Sequence, residues 1–165
     1  MIPEIRKILC PTDLSENARY AFEYAASLAN RYGAGITILH VLEDLSPNAL
    51  GIVGDMLGKE RWEEIKKRNE EQVIRAIRDR IKGFCEEESD KMPACPFIID
   101  EIIVEIGQPA DRIFRQAEKT KCDMIVMGSR GQGMFAEAML GSTSRKVLRR
   151  CKKPVLIVRL PEEDE

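Results

Sequence analysis

The sequence is poor in the residues from which metal and redox sites are built. It contains one histidine and five cysteines, and no two cysteines form a C-x-x-C motif. Structural zinc sites need four clustered cysteine or histidine ligands, so the common zinc modules are excluded. We expect free thiols in a reducing cytoplasm, although spacing alone leaves open a bridge between Cys85 and Cys95. The five cysteines are Cys10, Cys85, Cys95, Cys122 and Cys151.

Long apolar runs and a dominant charge are missing as well. No stretch approaches the roughly 20 apolar residues of a membrane span, and the first residues lack the apolar core of a secretory leader. The formal net charge of -2 gives no bulk positive field for nucleic acid or acidic membranes. The basic cluster from Arg145 to Lys153 is better explained as a solvated helix end. We therefore expect a cytoplasmic protein that binds neither nucleic acid nor a membrane.

What the sequence does contain is a regular alternation of strand and helix patterns. With 165 residues and 44% hydrophobic composition, the chain suits a single domain over residues 1–165. Nearly continuous apolar runs are typical of parallel strands covered on both faces. The alternation predicts an open, doubly wound, five-stranded parallel sheet of the α/β, Rossmann-like class. The predicted strands are Ile5–Cys10, Ile36–Val41, Ile98–Ile106, Met124–Met127 and Pro154–Val158.

Helical periodicity fills most of the connections. The first helix has Asp13 or Ser15 as its candidate N-cap, and Gly33 ends it. Residues 43–60 are instead predicted as a variable loop, which could cover a ligand, contact a partner or be disordered. Residues 161–165 are predicted as an acidic, frayed tail. The other predicted helices are Trp62–Cys85, Pro109–Ala117 and Ser142–Arg150.

A general rule for such sheets selects three loops. Ligands bind beyond the carboxyl ends of the strands, where the strand order reverses. The rule selects Pro11–Thr12–Asp13 and the segments that follow Val41 and Met127. Asp13 could accept from ribose hydroxyls or hold a metal on phosphates, and helix capping is an equally good account of it. His40 lies in an apolar run, so a packed or partly exposed strand histidine is favoured over a catalytic one.

The connection after Met127 carries the strongest chemical signal. Gly128 and Gly131 flank a turn, where the lack of a Cβ allows positive φ and lets phosphate oxygens approach the backbone. After nine further residues, Gly141 opens a helix start whose free N–H groups and hydroxyls favour an anion. Taken alone, the glycine turn could be an ordinary loop, and Ser142 at the helix start could be an ordinary cap. Both halves within one connection favour a phosphate cradle.

Two familiar nucleotide motifs do not account for this connection. The sequence has no G-x-x-x-x-G-K-[ST], which disfavours a P-loop triphosphatase. Residues 131–136 fit G-x-G-x-x-A, but they follow the fourth of five predicted strands. No acidic residue lies about 20 positions further on at a strand end, where ribose recognition would need it. We treat that match as accidental.

Five segments resemble the successive signatures of the universal stress protein family. The resemblance spans Ile5–Val158 and is weakest between about Glu43 and Pro96. The family's ATP-binding subgroup is marked by G-x-x-G, nine residues and then G-[ST], which this chain matches at Gly128, Gly131, Gly141 and Ser142. The five segments are Ile8–Ser15, Leu39–Val41, Ile125–Gly131, Leu140–Ser144 and Lys153–Val158.

The resemblance implies a strand order of 3-2-1-4-5 and a site for ATP or another adenine nucleotide. Asp13 would face the ribose, or Mg²⁺ or Mn²⁺ on the phosphates, and Val41 would meet adenine through its backbone. The residues implied to line the adenosine pocket are Pro11, Thr12 and Asp13; those implied to border ribose and phosphates are Met127, Gly128, Arg130 and Gly131; and those implied to bind the phosphate chain are Gly141, Ser142, Thr143 and Ser144.

The implied strand order also predicts a homodimer. It puts Pro154–Val158 at a sheet edge, where unpaired backbone groups favour pairing with a second copy. The leading functional hypothesis is a nucleotide-responsive stress or regulatory protein that acts on an unidentified downstream protein. The alternatives are a slow ATPase or phosphoryl or adenylyl transferase, and a protein-interaction module that uses no nucleotide. We name no catalytic residue, because no P-loop lysine and no obvious base accompany the cradle.

Overall fold

The computed structural model describes residues 1–43, 47–58, 60, 70–131 and 140–161. The strands are β1 (Lys7–Pro11), β2 (Gly35–Leu42), β3 (Ile98–Ile106), β4 (Met124–Gly128) and β5 (Val155–Val158). The helices are α1 (Glu16–Tyr32), α2 (Pro47–Leu57), α3 (Glu70–Lys91), α4 (Pro109–Lys119) and α5 (Ser142–Arg150). All strand pairs are parallel, and the order is β3-β2-β1-β4-β5. The predicted sheet and its order are confirmed.

Helices cover both faces of this sheet. Successive residues of a strand point to opposite faces, so Ile8 belongs to the core under α1 and α3, and Leu9 to the core under α4 and α5. In the first core, Phe22 of α1 and Phe84 of α3 meet edge to face, with 5.3 Å between ring centroids. Because both faces of β1, β2 and β4 are buried, these strands need apolar residues at nearly every position, which explains their continuous apolar runs.

Helix α1 begins and ends where its sequence predicts. The Ser15 side chain caps the helix by accepting from the Ala18 N–H at 3.2 Å. Gly33 ends it in the left-handed conformation, with φ of 65°. Asp13 is therefore not the N-cap; its Oδ1 accepts from the Ser15 N–H at 2.9 Å and closes the turn before the helix.

The prediction of a loop over residues 43–60 is wrong, because helix α2 occupies Pro47–Leu57. Pro47 is the first helical residue, where its missing N–H costs no hydrogen bond. Gly58, with φ of 88°, follows the helix and donates to the Gly54 carbonyl at 3.0 Å. Met56 and Leu57 pack against the core under α1 and α3. This packing outweighs the low helix propensity of the glycines, about 1 kcal/mol each.

The long charged helix extends further than predicted. In the described residues, α3 starts at Glu70 and continues past the predicted end at Cys85 to Lys91. The additional residues are polar or charged, and all but the buried Glu88 are exposed, so they carry little of the apolar signal that marked the helix. The predicted start, over Trp62–Asn69, and the acidic tail, over Glu162–Glu165, lie outside the described residues.

All five cysteines are free thiols, so Cys85 and Cys95 do not form a bridge. Burial raises the pKa of Cys10 and of Cys85 to about 12, and that of Cys122 to about 11. These three thiols are therefore protonated and unreactive at neutral pH. Among the helices of the described ranges, none combines the length and the apolar composition that crossing a membrane requires.

Candidate functional site

The topological switch point lies between β1 and β4. These neighbours pair in parallel, with Ile8 opposite Met124, and their connections to α1 and α5 leave from the same end of the sheet. Strand order reverses here, because β2 and β3 extend to one side of β1, and β5 lies on the other side of β4. The crevice at this end is where open α/β sheets bind ligands.

The β1 side of the crevice is a tight, fully hydrogen-bonded turn. The Thr12 N–H donates to the Leu39 carbonyl at 2.8 Å, and Thr12 Oγ1 accepts from the Leu14 N–H at 3.1 Å. Leu14 has φ of 58°, a left-handed conformation that is unusual for a branched side chain. The turn thus fixes the Asp13 carboxylate, with one of its oxygens on the Ser15 N–H.

His40 supports this turn from β2. Its Nδ1 lies 2.8 Å from the Thr12 carbonyl, which can only accept, so Nδ1 carries the proton. Its Nε2 is buried and has no hydrogen-bond partner among the described residues. Burial lowers the pKa of His40, against the opposing effects of the Thr12 carbonyl and the Asp13 charge. His40 is therefore a neutral histidine packed in the strand, in agreement with the sequence prediction.

Val41 lies inside β2, one residue before its end. The Gly35 N–H donates to Arg6 and the Leu39 carbonyl accepts from Thr12, so odd-numbered residues of β2 direct their backbone groups toward β1. Val41 lies beyond the level of Pro11, where β1 ends. Its backbone groups on that side therefore face the crevice and not a neighbouring strand.

The β4 side begins with the glycine turn Gly128–Gly131. The Ser129 N–H donates to the Val158 carbonyl at 2.9 Å, and the Ser129 carbonyl accepts from the Gly141 N–H at 2.7 Å. The second bond holds the start of α5 against the turn. Met127, just before the turn, has its side chain in the core under α4 and α5, so only its backbone can border a ligand.

The three motif glycines are required by space and not by positive φ. The described glycines with positive φ are Gly33, Gly58 and Gly107, so the expectation for Gly128 and Gly131 is wrong. A Cβ on Gly131 would lie 2.7 Å from Asp13 Oδ2, and one on Gly141 would lie 3.2 Å from the Arg130 Cα. A Cβ on Gly131 would displace the Asp13 carboxylate, and one on Gly141 would push the Arg130 backbone by a few tenths of an ångström. The glycines let the two sides of the crevice approach each other.

Helix α5 begins at Ser142, as predicted. Its N-cap is Gly141, which has no side chain to cap the helix, and Ser142 is the first helical residue. The account of Ser142 as a mere cap is therefore wrong. Ser144 is buried and its hydroxyl donates to the Gly128 carbonyl at 2.9 Å. That hydroxyl holds the turn, which leaves the Ser144 backbone N–H, free as at any helix start, for an anion.

Asn17 is a residue of this site that sequence reasoning missed. Its side chain, on α1, accepts from the Arg130 N–H at 2.9 Å and from the Ser129 hydroxyl at 3.1 Å. A signal existed: Asn17 precedes Ala21 and Ala25 by one and two helical steps of four residues, on the buried face of α1. A polar residue on an apolar helix face needs partners, because burying it alone is costly.

The donor set fits a metal only with help from a ligand. The described residues contain no group of three or more His, Cys, Asp or Glu side chains that could hold a metal ion. Asp13 offers one carboxylate at the crevice. Mg²⁺ is commonly held by one or two carboxylates together with substrate phosphates. Asp13 therefore suits a metal that arrives on phosphates and not a metal held by the protein alone.

Fold and site together define an open, doubly wound α/β protein with an acidic turn facing a helix start across the switch point. A model described as the universal stress protein family matches residues 4–159. The chain belongs to the universal stress protein family.

Two curated relatives match over nearly their whole length. One is universal stress protein MJ0577 of Methanocaldococcus jannaschii, at 29% identity over 93% of this chain and 94% of the relative. The other is a universal stress protein of Thermus aquaticus, at 33% identity over 93% of this chain and 98% of the relative.

Solved structures share the fold. MJ0577 superposes with a TM-score of 0.68 at 26% identity, over 98% of this chain and all 100% of its own. A universal stress protein in complex with cAMP gives 0.57 at 24% identity, over 95% and 98% of the two chains. One from Archaeoglobus fulgidus in complex with dAMP gives 0.57 at 19% identity, over 96% and 100%.

Proposed function

We propose that this chain binds an adenine nucleotide, with ATP as the first candidate, in the crevice between β1 and β4. One observation carries the proposal: the start of α5 has no side-chain cap and is bonded to the glycine turn at the switch point. Uncapped N–H groups and the positive end of the helix dipole attract phosphate. The same residues carry the G-x-x-G, nine residues, G-S spacing.

Each side of the crevice takes a different part of the nucleotide in this proposal. The N–H groups at the start of α5, with the hydroxyls of Ser142 and Thr143, donate to the phosphates. Asp13 accepts from the ribose hydroxyls, or shares Mg²⁺ or Mn²⁺ with the phosphates. The backbone of Val41 meets adenine. The other proposed contacts are Pro11, Thr12, Met127, Gly128, Arg130, Gly131, Gly141 and the Ser144 N–H.

The comparisons support the choice of base. The two solved relatives described with ligands hold cAMP and dAMP, which share adenine and one phosphate. The chain's subgroup motif supports ATP within that class. Discrimination against nicotinamide dinucleotides follows from the short sheet, which offers one nucleotide half and no ribose acid after a further strand.

Denaturing freshly purified protein and weighing the released small molecules tests the proposal directly. We expect an adenine nucleotide. Calorimetry on stripped protein then ranks ATP, ADP, AMP and NAD, with ATP tightest and NAD unable to displace it at equal concentration. Absence of any released nucleotide, together with no heat of binding for all four, contradicts the proposal and favours a protein-interaction module.

Binding without rapid turnover completes the proposed function. The two titratable side chains nearest the turn are engaged: His40 donates to Thr12, and Asp13 accepts from Ser15. In the proposed pose Asp13 is turned to ribose or metal, and the buried Nε2 of His40, unpaired among the described residues, is shut off from solvent, so neither serves as the base for an attacking water. We propose a cytoplasmic, nucleotide-responsive protein that acts on an unidentified partner. A multiple-turnover assay with Mg²⁺ or Mn²⁺ checks this, since sustained phosphate release that Asp13→Asn abolishes would instead establish a slow ATPase.

We further propose a homodimer through β5. This strand pairs only with β4 among the described strands and leaves an edge. Ile157→Lys would place like charges across the paired edges, and light scattering should report monomers. Leu148→Lys, on the exposed face of α5, is the matched control. Circular dichroism must show both variants folded, because Ile157 also packs against the core. Wild-type protein that stays monomeric at micromolar concentration, with or without ATP, refutes the dimer.

A further inference from the structure

Asn17 joins three segments that lie far apart in the sequence. It sits in the first turn of α1 and is 4% exposed. Its Nδ2 donates to the Val158 carbonyl, at the end of β5, at 3.0 Å. Its Oδ1 accepts from the Arg130 N–H at 2.9 Å and from the Ser129 hydroxyl at 3.1 Å. The carboxamide thus connects α1 to the glycine turn and to the edge strand.

The Val158 carbonyl is shared between the same partners. It accepts from Asn17 Nδ2 and also from the Ser129 N–H, at 2.9 Å. The turn, the edge strand and the Asn17 side chain therefore form a closed ring of hydrogen bonds. A ring of this kind fixes the turn more firmly than separate bonds do, because each bond orients the next.

Gly128 is fitted to the same side chain. A Cβ on Gly128 would lie 3.0 Å from Asn17 Cγ and Oδ1, and 3.2 Å from Nδ2. The carboxamide would have to move by a few tenths of an ångström to admit that atom, and the movement would strain its three hydrogen bonds. In this chain the first glycine of the G-x-x-G motif is therefore favoured by a protein side chain as well as by any ligand.

We propose that Asn17 is the positioning residue of the glycine turn, and that it makes nucleotide affinity depend on the end of β5. It touches no nucleotide; it holds Ser129 and Arg130 where the turn meets the start of α5. The effect of Asn17 on affinity rests on the proposed nucleotide site. The effect of Asn17 on the turn rests on its contacts alone.

Asparagine suits this position better than its acidic counterpart. One amide supplies an acceptor for the Arg130 N–H and a donor for the Val158 carbonyl. Asn17→Asp keeps the acceptor and sets a carboxylate oxygen against the Val158 carbonyl, which repels it. Asn17→Ala removes both. The two variants separate the contact to the turn from the contact to β5.

Amide hydrogen exchange and calorimetry test the role together. We expect Asn17→Ala to speed exchange of the Arg130 N–H and to weaken ATP binding about tenfold, which corresponds to about 1.4 kcal/mol. Asn17→Asp should loosen β5 at Val158 while protecting Arg130 better than alanine does. Asn30→Ala is the matched control, because Asn30 also lies on α1 and donates to a carbonyl, that of Pro96, away from the turn.

A double-mutant cycle keeps the test valid if Asn17→Ala merely lowers stability. Gly128→Ala should destabilise the wild-type protein by its contact with the carboxamide, and should be tolerated in the Asn17→Ala background, where that side chain is gone. Rescue of this kind depends on the specific contact and not on general stability. Asn30→Ala should give no rescue.

The outcomes separate the two claims. If wild-type protein binds no nucleotide, the proposed function fails. Amide hydrogen exchange and the double-mutant cycle then still test whether Asn17 positions the turn. If wild-type protein binds ATP but Asn17→Ala leaves affinity and Arg130 exchange at wild-type values, the role of Asn17 is refuted. Strictly additive effects of Gly128→Ala and Asn17→Ala refute it as well.

Discussion

Helices α1 and α5 begin at the same end of the sheet, on either side of the switch point, yet their starts are built differently. The start of α1 is capped by the Ser15 hydroxyl, and the turn that precedes it carries the Asp13 carboxylate. The start of α5 has glycine as its N-cap, and within the described ranges no side chain caps it. One side of the crevice offers an acceptor, and the other offers uncapped donors.

The difference matches the two polar parts of a nucleotide. Ribose hydroxyls donate and need an acceptor, whereas phosphates accept and need donors. The acceptor side is a short turn, from Thr12 to Ser15, whereas residues 129–141 connect β4 to α5. The longer connection brings the glycine turn and the helix start to the same place through the bond between Gly141 and Ser129.

The largest effect is expected from blocking the donor side. Gly141→Val would press a branched side chain against the Arg130 Cα and into the space above the N–H groups. Loss of about two charge-assisted hydrogen bonds, at about 1.5–3 kcal/mol each, should weaken ATP binding about 100-fold or more. Calorimetry on folded protein measures this. Gly83→Val, where a Cβ meets nothing within 4 Å, is the control and should bind normally.

A smaller loss is expected on the acceptor side. Asp13→Asn keeps an oxygen for the Ser15 N–H, so the turn should survive, but it removes the charge that we propose faces ribose or metal. We expect about tenfold weaker ATP binding, the difference between a charged and a neutral hydrogen-bond acceptor. Titrations with and without Mg²⁺ locate the effect. A loss confined to the titration with Mg²⁺ assigns Asp13 to the metal, and no loss in either removes it from the site.

Removing the existing cap should affect stability alone. Ser15→Ala deletes the bond to the Ala18 N–H, at a cost of about 1 kcal/mol to the free energy of unfolding. For a chain of this size, that corresponds to a melting temperature about 2–4 °C lower. ATP affinity should stay within about twofold of wild type. Should affinity fall as far as in Asp13→Asn, the two helix starts are not independent, and the contrast between them fails.

The smallest effect concerns pH. Burial lowers the pKa of His40 in the folded protein, so the unfolded chain takes up the proton first as pH falls. The stability that the neutral His40 contributes is therefore fully present above its unfolded pKa near 6.5, and it is lost as the pH falls from there through the lower folded pKa. Thermal melts at pH 7.5 and 5.5 should show this loss, and His40→Gln should reduce it. Equal pH dependence in both proteins contradicts a buried, neutral His40.

The sequence was sufficient for the sheet but not for helix α2. Apolar runs such as Ile36–Val41 predict strands because both faces of the sheet are buried. In residues 43–60, glycine and proline predicted a loop, and the packing of Met56 and Leu57 overrides them. That packing depends on α1 and α3, which local periodicity does not include.

Sequence reasoning located the glycine turn and the helix start of the candidate site but gave a wrong reason for two of the glycines. The spacing of Gly128, Gly131 and Gly141 marks the turn and the helix start correctly. For two of the three, glycine is favoured by a contact with a residue distant in the sequence: Gly131 with Asp13, and Gly128 with Asn17. Residues more than one hundred positions apart meet there only because β1 and β4 are neighbours, which no local pattern reveals.

The buried thiols make the two cores separately observable. Cys10 and Cys85 belong to the core under α1 and α3, and Cys122 belongs to the core under α4 and α5. Their high pKa values and burial keep them silent toward alkylating reagents until the protein opens locally. The order in which mass spectrometry detects labelling of these thiols therefore reports which of the two cores unfolds locally first, in the native protein and without any introduced probe.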